Sequence, residues 1–234
     1  MTVRLFVNTA LKENLRVTLD EKQSHYLAHV MRLRCGAEVL LFNGKDGEWN
    51  ARICDVTKKQ VALDVLNMVR EQNAKSDVCL CFAPVKKDNN DLIVQKTTEL
   101  GVGCLCPVIT KRTITSKINL ERMNLIATEA CEQSERLDVP EIQPARTLDQ
   151  LLSNWEKDRT LYYLSEREDV TPIKDFDKKS GFLIGPEGGF DEMEIKKLAA
   201  FKNAKAVHLG QRILRAETAC ITAMVLWNNW NGWQ

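Results

Sequence analysis

From about residue 76 onward, short apolar runs alternate with stretches of helical spacing, and a parallel sheet covered by helices is the arrangement that buries such a series. Val78–Phe82, Cys104–Val108, Thr160–Leu164, Phe182–Ile184 and Ala206–Leu209 are the expected strands. Asp88 to Leu100 reads as a helix opened by Asp and Asn and stopped by Gly101. Asn119 caps a second, which carries Leu120, Met123, Ala127, Ala130 and Cys131 along one side and ends before Pro140. Asp191-Glu192-Met193-Glu194 has the form of a capping box, so a third helix starts there. The last, from Ala216 to about Trp230, is dense in Ala, Ile, Met, Leu and Trp. Its face must be covered, either within the domain or by another subunit.

The first seventy or so residues follow another rule. Arg4–Val7, Leu15–Leu19, Glu38–Phe42, Trp49–Val56 and Gln60–Leu66 are strand-like runs separated by turn formers, and Asn43-Gly44 and Asp46-Gly47 are hairpin signals. One helix interrupts them over Ser24–Met31, with Leu27, Val30 and Met31 at helical spacing. The boundary falls near Glu71–Ser76, giving two domains, 1–72 and 76–234.

Composition excludes several classes. With 44% hydrophobic and 28% charged residues the chain is an ordinary globular one, and no apolar run approaches the ~18 residues of a membrane helix. The start, Met1-Thr2-Val3-Arg4-Leu5-Phe6, lacks an export signal's apolar stretch, so a soluble cytoplasmic protein with no membrane partner is expected. The 33 Lys and Arg against 32 Asp and Glu leave a net charge of +1, so any basic surface for nucleic acid must be local. Eight Cys without an export signal read as reduced thiols. Cys79-Leu80-Cys81 and Cys104-Leu105-Cys106 place each pair on one face of a strand, unlike the wider-spaced turns that grip zinc. They are expected to serve as small hydrophobes, with no metal.

Two Gly-containing segments follow apolar strands late in the chain: Leu183-Ile184-Gly185-Pro186-Glu187-Gly188-Gly189-Phe190, and His208-Leu209-Gly210-Gln211-Arg212-Ile213-Leu214-Arg215-Ala216-Glu217-Thr218. Glycine at a strand end lets the backbone approach a ligand, and open α/β sheets bind ligands beyond their strand ends. A single such loop is more often a plain turn before a helix; two together outline a pocket. There is neither a G-x-x-x-x-G-K-[ST] phosphate loop nor a G-x-G-x-x-G opening the first βαβ unit. Triphosphate and ordinary dinucleotide binding therefore lose ground, as does the usual Rossmann-type adenosylmethionine site.

Three ordered blocks resemble one family, the RsmE family of 16S ribosomal RNA uracil-N3 methyltransferases in the SPOUT class. They are Ala130-Cys131-Glu132-Gln133-Ser134 with Arg136 and Val139-Pro140-Glu141-Ile142, then Leu183 to Phe190, then Leu209 to Ala219. Gln95-Lys96 with Glu99-Leu100-Gly101, and His25 with Val30-Met31-Arg32-Leu33, are weaker matches in the same order. Where the family more often has Pro and Thr, this chain has Gln211 and Ala216.

The resemblance implies an α/β protein: an N-terminal PUA-like β-barrel that helps hold RNA, and a C-terminal SPOUT α/β domain whose last segments form a deep trefoil knot. It also implies a homodimer and S-adenosylmethionine as cofactor. Leu164, Ile184, Gly185, Pro186, Glu187, Gly188, Gly189, Leu209, Gly210, Gln211, Arg212, Ile213, Leu214 and Thr218 are its expected contacts. The expected acceptor is N3 of a uridine near the 3′ end, in the decoding region, of 16S ribosomal RNA within the small subunit. Removing the N3 proton spreads negative charge onto two carbonyl oxygens, which a fixed Arg or backbone N–H would stabilise, while a nearby carboxylate or water accepts the proton. Arg136, Glu132 and Arg215 are the expected catalytic residues, with Arg212 and Glu217 nearby; the bland reading of Arg215 and Glu217 is a mutual or helix-end ion pair. Arg4, His25, Arg32, Arg34, Lys86, Lys87, Lys111 and Arg112 are the expected RNA contacts. The rival readings are a SPOUT enzyme for another ribosomal or transfer RNA nucleotide, and an RNA-binding assembly protein without catalysis.

Overall fold

The computed structural model describes residues 2–57, 59–115, 117–165, 173, 175–177 and 179–233, Lys87 by its backbone alone. Met1–Lys75 with Cys131–Val139 form one compact unit, and Ser76–Ala130 with Pro140–Gln234 form another. Residues 131–139, placed by the sequence reading in the second domain, thus pack with the first unit.

The first unit is built on a five-stranded sheet of β1 (Arg4–Phe6), β2 (Arg16–Thr18), β3 (Glu38–Phe42), β4 (Glu48–Val56) and β5 (Val61–Arg70), in the order β1-β3-β4-β5-β2. β1 runs parallel to β3 and the other pairs are antiparallel. Val61, Leu63 and Val65 are buried while the residues between them are half-buried, the period-two alternation of a strand with one covered face. Between β3 and β4, Asn43 Oδ1 accepts the N–H groups of Lys45 at 3.0 Å and Asp46 at 2.9 Å, which shapes the expected turn.

The helix of this unit departs from expectation. Asp20 caps α1 (Glu21–His25) by accepting the Gln23 N–H at 2.8 Å, but residues 26–30 then widen into a π-helical turn. Of the three apolar residues read at helical spacing, Leu27 is 0% exposed, Val30 58% and Met31 39%. The wider turn rotates the latter two off the face that Leu27 occupies.

In the second unit, β6 (Cys79–Phe82), β7 (Cys104–Ile109), β8 (Glu141–Ile142), β10 (Thr160–Leu164), β11 (Ser180–Ile184) and β12 (Ala204–Val207) lie in the order β12-β10-β11-β6-β7-β8, and β9 (Arg146–Thr147) pairs further along β7. Every pairing is parallel. The helices are α2 (Lys87–Glu99), α3 (Leu120–Ser134), α4 (Leu148–Ser153), α5 (Glu192–Ala200) and α6 (Ala216–Asn231). The last turn of α3, from Cys131, belongs to the first unit. β8, β9 and α4 were not anticipated, being too short to show a period. β12 ends two residues earlier than expected because its partner ends there: Leu164 is opposite Val207.

Cys79 is opposite Cys104 and Cys81 opposite Cys106, so four thiols share one face of two adjacent strands. They join a core cluster with Leu148, Leu161 and Leu183. The neighbouring thiol of Cys106, with Cys79 and burial, pushes the Cys81 thiol well above its usual range, which keeps it neutral. Among the described residues no group of His, Cys, Asp or Glu is arranged to hold a metal ion, and no helix is long and apolar enough to cross a membrane.

The N-terminal edge of this sheet is closed by Arg159, which is 6% exposed. Its guanidinium donates to the main-chain oxygens of Asp77 and, at 3.1 Å, Ser180, and to the carboxylates of Asp77 at 2.6 Å and Glu156 at 3.1 Å.

Candidate functional site

At the opposite edge of the same sheet, β10 lies between β11 and β12, and all three run the same way. Leu164, Ile184 and Val207 are therefore neighbouring strand ends. Ser165 N–H donates to Val207 O at 2.9 Å and Ala83 N–H to Ile184 O at 2.8 Å, fixing the exits of β10, β12, β6 and β11. This is where an open α/β sheet accepts a ligand.

The loop after β11 is held from several sides. Gly189 N–H donates to Pro186 O at 2.8 Å, and Gly189 takes φ of +67°, a conformation that favours glycine. A Cβ on Gly185 would stand 3.2 Å from the Phe190 ring, so the bare backbone lets that buried ring close over the turn. Ile184 and Pro186 are buried, whereas Glu187 and Gly188 are exposed. The capping box at Asp191 then starts α5, and buried Glu194 serves both loops: Oε2 accepts the Asp191 N–H at 2.9 Å and Oε1 the Lys111 N–H at 2.8 Å. Arg112 Nη1 donates to Gly188 O at 2.7 Å, and Lys111 Nζ lies 3.4 Å from Asp191. The Met193 N–H, followed by Lys111 and Arg112, holds the Asp191 carboxyl below the usual carboxylate range. Lys111 and Arg112, expected as RNA contacts, are thus brought to the glycine loop, where Arg112 supports its backbone.

The loop after β12 is more open. Gly210 N–H donates to His208 Nδ1 at 3.1 Å, so His208 shapes the turn. Leu209 and Leu214 are half-buried, while Gly210, Gln211, Arg212 and Ile213 face solvent, Ile213 at 77%. Arg215 is exposed and opens α6, its carbonyl accepting the Ala219 N–H at 2.8 Å. Thr218 is exposed on the first turn. Among the described residues neither Arg212 nor Arg215 has an ion-pair partner, so the Arg215–Glu217 pair considered from sequence is not formed. Glu217 Oε2 is buried and, among the described residues, has no hydrogen-bond partner. A buried acceptor in that state is costly and marks a place where a ligand donor gains.

In the first unit the structure corrects one expected RNA contact. Arg4 is 6% exposed: Nε donates to Glu48 at 2.6 Å, Nη1 to Cys131 O at 2.9 Å and Glu132 O at 3.0 Å, and Nη2 to Arg136 O at 3.3 Å. Its donors are committed inside the unit, and a phosphate has no route to them. Glu48 also accepts from Arg70 at 2.7 Å, and Arg70 donates to Glu135 O at 2.9 Å. Burial pushes the Glu48 carboxyl up, but hydrogen bonds from Arg70 and Arg4 outweigh it and hold it below the usual range. The last turn of α3 is therefore gripped by cations at the end where carbonyls point outward.

That turn and the residues just after it carry two of the expected catalytic residues. Glu132 Oε1 accepts the Phe6 N–H at 3.0 Å, and Arg136 pairs with buried Asp138 at 2.9 Å. The partners Glu48 and Asp138 were missed from sequence; an Arg two residues before an Asp was the only local signal. Of the other expected RNA contacts, His25, Arg32 and Arg34 are exposed in the first unit. Lys86 is exposed before α2 in the second, and the Lys87 side chain lies outside the described residues.

Comparison with known proteins adds to this geometry. The family described as RNA methyltransferase domain matches residues 71–228, and the one described as RNA methyltransferase PUA domain matches residues 19–66. The chain is 35% identical to Ribosomal RNA small subunit methyltransferase E of Rickettsia conorii over 94% of this chain and 93% of that one. It is 29% identical to the protein of that name from Bacillus subtilis, over 92% and 90%. Among solved structures, a Ribosomal RNA small subunit methyltransferase E from Neisseria gonorrhoeae bound to S-adenosyl methionine aligns with TM-score 0.89 at 29% identity over 98% of both chains. A methyltransferase of Legionella pneumophila in complex with the same cofactor aligns with TM-score 0.86 at 30% identity, again over 98% of both.

Proposed function

Because this chain belongs to the RNA methyltransferase family, with relatives named Ribosomal RNA small subunit methyltransferase E, we propose that it methylates 16S ribosomal RNA of the small subunit with S-adenosylmethionine as donor. The acceptor in this reading is N3 of one uridine near the 3′ end, in the decoding region. The observation that carries it is the juxtaposition of three strand ends, Leu164, Ile184 and Val207, with a glycine loop leaving two of them.

The residues present fit the cofactor. Nothing stands within 4 Å of where a Cβ on Gly189 would be, Gly210, Gln211, Arg212 and Ile213 face solvent, and among the described residues Glu217 keeps a buried oxygen without a donor. Leu164, residues 184–189, residues 209–214 and Thr218 would hold it. When bound, S-adenosylmethionine supplies an electrophilic methyl group.

The protein's part is alignment, exclusion of water and management of one proton. The uridine must be unpaired and turned outward before N3 is accessible. Glu132, oriented by the Phe6 N–H, takes the N3 proton onto its carboxylate, and Arg136 and Arg215 stabilise the negative charge that develops on the uracil oxygens. Asp138 keeps the Arg136 guanidinium in one orientation. The same reading folds the first unit as a PUA-like barrel for RNA, threads the chain around β12 and α6 into a deep trefoil knot, pairs two chains as a homodimer and places the protein in the cytoplasm with its substrate.

The test is incubation with labelled S-adenosylmethionine and small subunits lacking their modifications, followed by digestion of the RNA and identification of the nucleoside by mass. 3-Methyluridine at one site is the expected product. Cofactor binding without transfer to subunits moves the substrate to another RNA, and no cofactor binding leaves an RNA-binding assembly protein.

A further inference from the structure

The first unit contains a strained segment that its own core does not explain. After α1, Met31 N–H reaches Tyr26 O at 2.9 Å, one residue beyond an α-helical bond, and Leu33 N–H reaches Leu27 O at 2.9 Å. Single π-helical turns of this kind are rare and are frequently found at functional sites. Arg32 follows with φ of +56°, in the left-handed region that a non-glycine residue enters at a cost. Leu27 and Ala28 are the only buried residues of the turn, while Tyr26, Val30 and Met31 remain exposed. Packing alone therefore gives little return for the unusual backbone.

The segment does bring His25 and His29 together, with ring centroids 5.0 Å apart and planes inclined by 32°. Facing them is the turn between β4 and β5. Thr57 N–H donates to Gln60 O at 2.9 Å and Thr57 Oγ1 accepts the Gln60 N–H at 3.0 Å, which fixes the position of Lys59. Ser24 Oγ accepts the Val61 N–H at 3.0 Å and pins α1 to β5. Glu21, Ser24, His25, His29, Thr57 and Lys59 border an open pocket of about 60 Å³.

A pocket of that size admits a few waters or one tetrahedral oxyanion. Each imidazole offers one N–H when neutral and two when protonated, Lys59 offers an ammonium and Thr57 a hydroxyl. Glu21 is the one carboxylate among the described lining residues, and its charge opposes a dianion. The match is a singly charged phosphodiester, not a free or terminal phosphate. We infer that this pocket seats one backbone phosphodiester of the RNA, with His29, Lys59 and Thr57 joining His25 as its contacts. The inference rests on the RNA-modifying reading above and adds where the first unit grips the strand. A phosphate contact fixes register and carries no sequence preference.

The test is fluorescence anisotropy of the full-length protein with a labelled RNA copy of the 3′ portion of small-subunit ribosomal RNA, and with a scrambled RNA of equal length, across a series of salt concentrations. Lys59→Met is expected to weaken binding about fivefold and to lower the salt slope by about one unit, equally for both RNAs. His29→Gln is expected to weaken binding about threefold, and Lys59→Arg to restore most of the affinity, with cofactor affinity and melting temperature unchanged throughout. Wild-type affinity and slope in Lys59→Met and His29→Gln, while the wild type still methylates subunits, overturn the phosphate site and leave the proposed function standing. A loss confined to the unscrambled RNA also overturns it, since the pocket would then read bases. A wild type that binds cofactor but neither binds nor methylates ribosomal RNA removes both.

Discussion

The two edges of the parallel sheet in the second unit are opposites. At the N-terminal edge Arg159 has four acceptors and almost no exposure. At the C-terminal edge Glu217 has a buried oxygen without a donor, and Arg212 and Arg215 lack ion-pair partners among the described residues. The sheet itself is equally apolar between them. One edge is finished within the chain and serves as scaffold, and the other is left to be completed by what it binds.

Substitution at each edge breaks this contrast differently. Arg159→Met strands the buried Ser180 carbonyl, and a loss of about 2 kcal/mol in urea unfolding is expected, with cofactor affinity unchanged by calorimetry. An equal loss of cofactor affinity would mean that the two edges are not independent. Gly185→Val drives a branched side chain against the buried Phe190 ring, so about a tenfold or larger loss of cofactor affinity is expected, equivalent to about 1.4 kcal/mol, together with a lower melting temperature from the overpacked ring. Glu217→Gln sharpens the comparison, because it removes a buried charge that lacks a donor. The cofactor-free variant should gain about 1 kcal/mol in stability while methyl transfer slows; a destabilised variant would show that Glu217 is structural.

A pH-dependent effect lies between the edges, at Tyr162 on β10. Its hydroxyl donates to Asp177 Oδ2 at 2.9 Å and accepts the Asp177 N–H at 2.8 Å. Burial, with the Asp177 carboxylate, pushes the phenol up to about 12. A phenol raised on folding contributes stability that is intact below the unfolded value of about 10 and lost as the pH climbs toward 12. Unfolding followed from pH 9 upward should show that decline, and Tyr162→Phe should flatten it.

What the sequence makes legible follows from how far apart the partners are. The strand-and-helix alternation and both glycine loops are local patterns, and each is present close to where it is expected. β12 ends early because the length of β10 sets it. The stripe of Leu27, Val30 and Met31 is dispersed by a π-helical turn that no side-chain period announces. Arg4 looks like any basic residue near a chain start, yet its acceptors are 44 and more than 120 positions away. Among the catalytic candidates, sequence names Glu132 and Arg136 but not Glu48, Arg70 or Asp138, whose charges hold that turn in place. Buried ion networks join distant positions and leave no periodic trace.

The position of β12 has a consequence in time. It is an edge strand that pairs with β10, and the loop that follows it carries several of the proposed cofactor contacts. During synthesis β6, β7, β10 and β11 leave the ribosome first and can assemble while residues 204–215 are still unmade. On the proposed reading, the donor site is therefore complete only after residues 204–215 have been made, later than the first unit and the rest of the sheet.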